Sequence, residues 1–182
     1  MEKFSNIDAK VNDIIAEYPV KRSAAMMIMH LVQETFGWFD GDAVKYVAQK
    51  IGEEPIAVYG MLSFYPMFTE APKGRVHIKV CRTLSCALAG SINLAGEISS
   101  LIDCPVGGSN GVYTLEFVEC LGNCTHGANV QVNDRLYDRV KPENAEKFVE
   151  QIKREAEAGT LEPKSAYASA QGENFDDPAF KG

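Results

Sequence analysis

The 182-residue sequence has an acidic balance, few histidines and no long apolar run. Its 18 Lys and Arg residues are outnumbered by 25 Asp and Glu, which gives a formal net charge of -7 and a sequence pI near 5.0. A nucleic-acid surface carries a clustered basic stripe, so this balance argues against one. The longest apolar run, residues 24–29, is interrupted by His30 and is far too short to span a bilayer.

Two kinds of functional segment are also missing from the sequence. The first residues lack the apolar centre of a secretory signal peptide, so we expect a soluble, cytoplasmic protein with no membrane span. No G-x-G-x-x-G or G-K-S/T string occurs, and the glycines of residues 107–111 lack the strand, glycine, helix order of a phosphate loop. The chain therefore shows no nucleotide site of its own.

Four of the five cysteines form two short pairs. Cys81 and Cys86 make the first pair, Cys120 and Cys124 make the second, and the segment 87–119 separates them. A reducing cytoplasm makes disulfides a poor explanation. Four thiolates are the ligand set of a structural zinc ion or of an iron-sulfur cluster. Cys104, the fifth, is interpreted as a buried structural thiol.

Each cysteine pair begins where a predicted strand stops. Residues 75–80 alternate polar and apolar side chains and lead directly into Cys81, and residues 111–118 repeat the pattern shortly before Cys120. Between them, one helical stripe is predicted from about residue 85. Its members are Leu88, Ile92, Ala95, Ile98 and Ile102. A strand, helix, strand unit of this length predicts a parallel, right-handed crossover, so both pairs should meet at one carboxyl edge of the sheet.

The predicted edge favours an iron-sulfur cluster, because an exposed sheet edge suits electron exchange better than a purely structural ion. Structural zinc and thiol-disulfide chemistry stay open as alternatives. A Cys-His hydrolytic pair is disfavoured because four cysteines share the edge. His126 follows Cys124 closely, but four cysteines already complete a ligand set, so it is expected to be a neighbour of the cluster.

Residues 1–70 predict a helical bundle. Apolar stripes indicate helices near residues 11–15 and 21–36, a third capped by the Asp40 turn, and a fourth from Pro55 with Ile56, Tyr59 and Leu62 inward. Successive short helices are also typical of a DNA-binding helix-turn-helix. However, this segment holds six Lys or Arg against ten Asp or Glu, a balance of -4, which opposes DNA binding.

The cysteine-bearing domain is predicted over residues 75–158. A hairpin over residues 129–137 and a helix from Lys141, with Ala145, Phe148, Val149 and Ile152 inward, follow the second pair. Residues 159–182 are rich in Gly, Ser, Ala, Pro and acidic residues, so a flexible tail is predicted. Tyr167, Phe175 and Phe180 are candidate anchors of that tail on a partner.

The pattern as a whole resembles the thioredoxin-like 2Fe-2S ferredoxin family. The resemblance is carried by Cys81-x4-Cys86, by Glu119-Cys120-Leu-Gly-Asn-Cys124 and by the segment that follows at residues 129–134. It covers roughly residues 8–155 and includes Phe64-Tyr65 and the helix start at residues 141–143. Two departures are the lack of proline in residues 125–129 and the presence of Pro66 after Tyr65; neither changes a cysteine.

This resemblance implies an α/β thioredoxin-like domain behind an N-terminal helical bundle. The family includes the E-type subunit of bacterial NADH:quinone oxidoreductase and its counterpart in mitochondrial complex I. It implies that Cys81, Cys86, Cys120 and Cys124 hold one 2Fe-2S cluster. No catalytic residue of the chain itself is implied.

The family also implies a multi-subunit setting for the chain. The implied partner is an NADH-oxidising flavoprotein subunit of the F type, which carries FMN, together with other subunits of a peripheral arm at the inner membrane. NAD-linked hydrogenases and formate dehydrogenases contain the same module, so they remain alternatives, as does a zinc-stabilised interaction module.

Overall fold

The computed structural model describes residues 2–161, which form two compact units. One unit comprises the residues up to Pro72 and the other begins at Lys73. The tail residues Tyr167, Phe175 and Phe180 lie outside the described residues. Of the predicted tail only residues 159–161 are described, and there Leu161 is buried in the core of the second unit.

The first unit contains four α-helices that share one apolar core. These are α1 (Asp8–Ala16), α2 (Ala25–Phe36), α3 (Gly41–Ile51) and α4 (Pro55–Phe64), with short 3-10 turns at Glu2–Phe4 and Lys21–Ala24. Asp40 begins α3 as predicted, since its carboxylate accepts a hydrogen bond from the Ala43 N–H at 2.8 Å. Gly37 and Gly52 end α2 and α3 in the left-handed conformation.

The predicted inward face of α4 is wrong at Ile56 and Tyr59 and confirmed at Leu62. Ile56 is 74% exposed and Tyr59 is also exposed, whereas Leu62 and the unpredicted Val58 are buried in the core. Apolar residues lie on every side of α4, so its sequence pattern does not distinguish one face from another. Packing against α3 and the shared apolar core makes that choice.

The second unit is built on a five-stranded sheet in the order β2-β3-β1-β4-β5. The strands are β1 (Val76–Cys81), β2 (Gly108–Ser109), β3 (Tyr113–Val118), β4 (Val130–Val132) and β5 (Arg135–Tyr137). β1 and β3 are parallel, as predicted, and the other neighbours are antiparallel. The short β2 lies in the glycine-containing segment 107–111, which has no apolar alternation from which a strand could be predicted.

Helices α5 (Leu84–Leu88), α6 (Ser91–Ile102) and α7 (Ala145–Glu157) complete this unit. The inward face of β1, formed by Val76, Ile78 and Val80, is buried in one core with residues of α6 and α7. The predicted stripe of α7, which contains Phe148 and Ile152, is buried as expected. The mixed α/β class is therefore confirmed.

The crossover between β1 and β3 is two helices rather than the single helix predicted. Gly90, with φ 91°, separates α5 from α6. A left-handed residue ends one helix and starts the next with its side chains pointing in different directions. A stripe predicted for one continuous helix therefore does not hold on both sides of Gly90. Leu88 is 82% exposed and Ile92 is 49% exposed, while the later stripe residues, Ala95, Ile98 and Ile102, are buried.

Among the helices of residues 2–161, none combines the length and apolar character needed to cross a membrane.

Candidate metal centre

The first cysteine pair straddles the turn from β1 into α5. Cys81 is the last residue of β1, Cys86 lies within α5, and both are buried. The Thr83 hydroxyl at the start of α5 lies 3.2 Å from the Cys81 Sγ. The Cys81 N–H donates to the Asn129 carbonyl at 3.1 Å, which ties the end of β1 to the segment before β4.

The second pair lies in the loop after β3, and both of its cysteines are exposed. The Sγ atoms of Cys120 and Cys124 are 3.2 Å apart. Gly122, with φ 81°, turns the backbone so that its N–H donates to the Cys120 Sγ at 3.4 Å. A left-handed residue is needed here, which explains the glycine between the two cysteines.

The parallel register brings the two pairs to one edge of the sheet. Cys81 is paired with Val118, and the Arg82 N–H donates to the Val118 carbonyl at 3.0 Å. Gly127, just past the second pair, lies against the first: a Cβ at Gly127 would be 3.2 Å from the Ser85 carbonyl oxygen and 3.4 Å from the Cys86 Cα. The two cysteine pairs therefore lie at the same carboxyl edge of the sheet, as predicted.

The four thiols differ in their readiness to ionise. Burial raises the pKa of Cys81, but hydrogen bonds from Thr83, from Cys86 and from the Leu121 backbone outweigh it, so the net shift is downward. Burial and the Cys81 sulfur raise the pKa of Cys86, with Asn129 opposing.

In the exposed pair, hydrogen bonds from the Gly122 backbone and from Cys124 lower the pKa of Cys120, while Cys120 raises the pKa of Cys124. Each pair thus combines one sulfur whose pKa is lowered with one whose pKa is raised. Metal binding requires thiolates, so it must displace the thiol protons.

Two hydrogen-bonding residues of the site were not assigned a role from the sequence. Thr83 contacts Cys81, and the buried Asn129 donates its Nδ2–H to the Cys86 Sγ at 3.4 Å. The only sequence signal for Asn129 is a polar residue immediately before a buried strand. A hydrogen bond between residues 43 positions apart leaves no trace in periodicity.

Two further candidate residues, Cys104 and His126, differ in their distance from the cysteine pairs. Cys104 is buried, with its sulfur near the carbonyls of Gly108 and Tyr113, at the start of β3 and so at the opposite edge. The His126 Nδ1 is 3.0 Å from the Asn123 Oδ1, and its role as a neighbour of the cluster stays a prediction. Within residues 2–161 no three or more Cys, His, Asp or Glu side chains are gathered closely enough to hold a single metal ion.

The strand, helix, strand, hairpin and helix order, with paired cysteines at the carboxyl edge, defines a thioredoxin-like ferredoxin domain. Residues 11–153 match the thioredoxin-like 2Fe-2S ferredoxin family, to which the chain belongs.

Several bacterial proteins are similar to this chain over most of its length. NADH-quinone oxidoreductase subunit 2 of Thermus thermophilus is 34% identical over 131 residues, which cover 70% of this chain and 72% of the relative. The E 2 subunit of the same kind of enzyme from Rhizobium meliloti is 32% identical, covering 86% of this chain and 94% of the relative. The E-type subunit from Rickettsia prowazekii is 36% identical, covering 76% of this chain and 81% of the relative.

A solved structure supports the fold. The chain aligns with a crystal structure of an NAD+-reducing NiFe-hydrogenase with a TM-score of 0.58 and 16% identity. The alignment covers 70% of this chain but only 23% of the hydrogenase chain. At this identity the likeness speaks for the fold alone.

The residues at the sheet edge fit the 2Fe-2S cluster of the family. Thiolates are the preferred ligands of iron-sulfur clusters, and a 2Fe-2S cluster takes four of them, two on each iron. Here the sulfurs are arranged as two pairs, with backbone and side-chain donors from Gly122, Thr83 and Asn129 directed at them. Such donors stabilise negative charge on sulfur. The residues that could hold the cluster are therefore Cys81, Cys86, Cys120 and Cys124.

Proposed function

We propose that Cys81, Cys86, Cys120 and Cys124 hold one 2Fe-2S cluster, and that this chain is the electron-transfer subunit of an NADH-quinone oxidoreductase. The observation that carries the proposal is the meeting of both cysteine pairs at the carboxyl edge of parallel β1 and β3. The names of the relatives supply the parent complex. The chain is then one part of an oxidoreductase and has no substrate site of its own.

A 2Fe-2S cluster supplies one-electron transfer when bound. The residues of this chain bind the cluster, adjust its reduction potential and place it near the surface. Buried Cys81 and Cys86 anchor one side in the fold, while exposed Cys120 and Cys124 form the side open to an electron donor or acceptor. N–H and O–H donors directed at the sulfurs favour the more negative, reduced state.

A flavoprotein subunit that binds NADH and FMN is the proposed electron-transfer partner. Leu84 and Leu88 on α5 and Ile92 in the first turn of α6 are exposed apolar side chains on the segment that carries Cys86. An exposed apolar cluster beside a redox site is a suitable docking surface. We call these three residues the α5 patch.

The N-terminal helices are proposed to form a bundle that packs against a partner subunit. Ile56, Tyr59 and Phe64 of α4 are exposed, which leaves an apolar face available. Association through partner subunits would hold the chain in a peripheral arm at the inner membrane.

The test is spectroscopy of anaerobically purified protein before and after reduction by dithionite, with iron, sulfide and zinc assayed on the same sample. We expect a red-brown protein that bleaches on reduction and gives a single spin-one-half resonance signal per chain. A colourless protein with one tightly held zinc, still without a cluster after anaerobic reconstitution, would contradict electron transfer and support the zinc-stabilised interaction module.

Co-purification then tests the parent complex. Recovery with an FMN-containing flavoprotein and quinone-reducing subunits supports the proposal. Recovery with hydrogenase or formate dehydrogenase subunits instead would assign the chain to one of those complexes and leave the cluster assignment intact.

A further inference from the structure

Asn129 is a buried polar residue placed between the two cysteine pairs. Its relative exposure is 1%, and in the part of the chain that the structure describes only Ser91 and Thr114 are polar residues of comparable burial. Burying an amide side chain costs free energy unless its donors and acceptor are satisfied. The contacts of Asn129 therefore indicate why an amide is present there.

Asn129 bonds to both loops that carry the cysteines. Its Nδ2 donates to the Cys86 Sγ at 3.4 Å and to the Asn123 carbonyl at 2.7 Å. Its Oδ1 accepts from the Asn123 Nδ2 at 3.2 Å, and its backbone carbonyl accepts from the Cys81 N–H at 3.1 Å. Asn123 lies between Cys120 and Cys124, so one buried side chain joins the two pairs.

The two hydrogens of the amide nitrogen have different partners, and this division suggests two effects. The bond to the Asn123 carbonyl holds the second loop against the first. The bond to Cys86 directs a positive N–H dipole at a ligand sulfur. A reduced cluster carries one more negative charge than an oxidised one, so a donor to sulfur stabilises the reduced state more than the oxidised state.

We propose that Asn129 is a positioning residue of the cluster, which holds the two cysteine loops together and raises the reduction potential through its bond to Cys86. This inference rests on the proposed cluster ligands. It adds a tuning residue that is not itself a ligand.

The test compares Asn129→Leu with Asn123→Ala in the full-length, cluster-loaded protein. Leucine has the same branched skeleton as asparagine but its side chain donates nothing, so it removes both side-chain effects while keeping the backbone N–H of residue 129, which also bonds to Cys86. Asn123→Ala removes the bond from the Asn123 Nδ2 to the Asn129 Oδ1, which weakens the tie between the loops, but it keeps the Asn123 carbonyl and leaves the Asn129 Nδ2 facing Cys86. The measurements are cluster content, the resonance signal of the reduced cluster and a redox titration followed by that signal.

We expect Asn129→Leu to shift the reduction equilibrium toward the oxidised state by about three- to tenfold, the range for one hydrogen bond, with an altered resonance signal. Asn123→Ala should lower the cluster content but leave the potential of assembled clusters near that of the wild type. Asn129→Gln retains an amide donor and should recover part of the shift. An unchanged potential in Asn129→Leu, or an equal shift in Asn123→Ala, would overturn the inference.

If Asn129→Leu assembles no cluster, Asn129→Met and Asn129→Gln are compared instead. Methionine is neutral and nearly the shape of glutamine but cannot donate, so its potential should lie below that of the glutamine variant; equal potentials would refute the tuning role. Failure of the wild type itself to carry a 2Fe-2S signal would contradict the proposed function, which separates that outcome from failure of the role of Asn129.

Discussion

The Arg82 guanidinium donates two hydrogen bonds to the Glu119 carboxylate, from Nε at 2.9 Å and from Nη2 at 2.7 Å. Arg82 directly follows Cys81, and Glu119 directly precedes Cys120. The ion pair thus spans the ends of β1 and β3 beside the proposed cluster. A cation near an anionic cluster favours its reduction, and an anion opposes it. Arg82 and Glu119 should therefore shift the reduction potential in opposite directions.

A double-mutant cycle on this pair should show opposite shifts in reduction potential. Arg82→Gln removes the cation and should lower the potential, and Glu119→Gln should raise it. Both side chains are largely exposed, so shifts of about 10–40 mV are expected, which correspond to the ~0.2–1 kcal/mol of exposed charge pairs. The reduction potential of the double variant should lie near that of the wild type. Shifts of the same sign in the two single variants would contradict this account.

The ligand assignment predicts a clear difference between site cysteines and Cys104. Cys81→Ser and Cys124→Ser should lose or perturb the cluster, because serine replaces a soft thiolate with a hard oxygen. Cys104→Ala is the matched control, since Cys104 is buried at the opposite edge of the sheet. It should keep full iron and sulfide content at a cost in stability of about 1 kcal/mol. An unchanged spectrum in either serine variant would refute that ligand.

The α5 patch predicts a variant that weakens partner binding without disturbing the cluster. Leu88→Asp places a charge on a side chain that is 82% exposed, so stability should change by less than about 0.5 kcal/mol. If the patch docks on the flavoprotein, affinity should fall by about tenfold, or ~1.4 kcal/mol, as measured by titration calorimetry.

Val112→Asp is the control for that variant. Val112 is 51% exposed and directly precedes β3, so it lies toward the edge opposite the cysteines. Its substitution should leave the affinity unchanged. Equal losses from Leu88→Asp and Val112→Asp would argue against the α5 patch as the docking surface.

Glu116 predicts a loss of stability in acid. Its Oε1 is 2.6 Å from the His77 Nε2, and Lys73 lies 3.2 Å from its Oε2. The hydrogen bond from His77, opposed by burial and aided by Lys73, lowers the pKa of Glu116 to about 2. The unfolded chain takes up this proton near pH 4.5, so the stabilisation is complete above that pH and is lost as the pH falls toward about 2.

Unfolding by urea, followed by circular dichroism across this pH range, measures the effect. The contribution of Glu116 amounts to at most about 3 kcal/mol. Glu116→Gln should be less stable than the wild type at neutral pH and should lose less stability on acidification. Glu143→Gln, at an exposed position, should follow the wild type. A Glu116→Gln profile as steep as that of the wild type would contradict the linkage.

Local patterns in the sequence were sufficient to predict the framework of the site. The alternation of Val76, Ile78 and Val80 defines a strand that delivers Cys81 to its end. A crossover long enough for a helix makes β1 and β3 parallel, so the cysteines after each strand must share an edge. The same local logic correctly predicted the buried stripe of α7, because that helix is strongly amphipathic.

Tertiary packing decided what periodicity leaves open. The left-handed Gly90 restarts the crossover helix, so Leu88 and Ile92 face outward, and α4 is too uniformly apolar for its pattern to select Val58 over Ile56. Packing also decided which distant polar groups meet.

Sequence by itself determined the four cysteines, the strands that carry them and their common edge, since these follow from local periodicity and connection length. Only the tertiary structure decided that Arg82 pairs with Glu119, 37 positions away, and that Asn129 meets Cys86, 43 positions away. Such contacts depend on how separate segments pack in space, which no local pattern encodes.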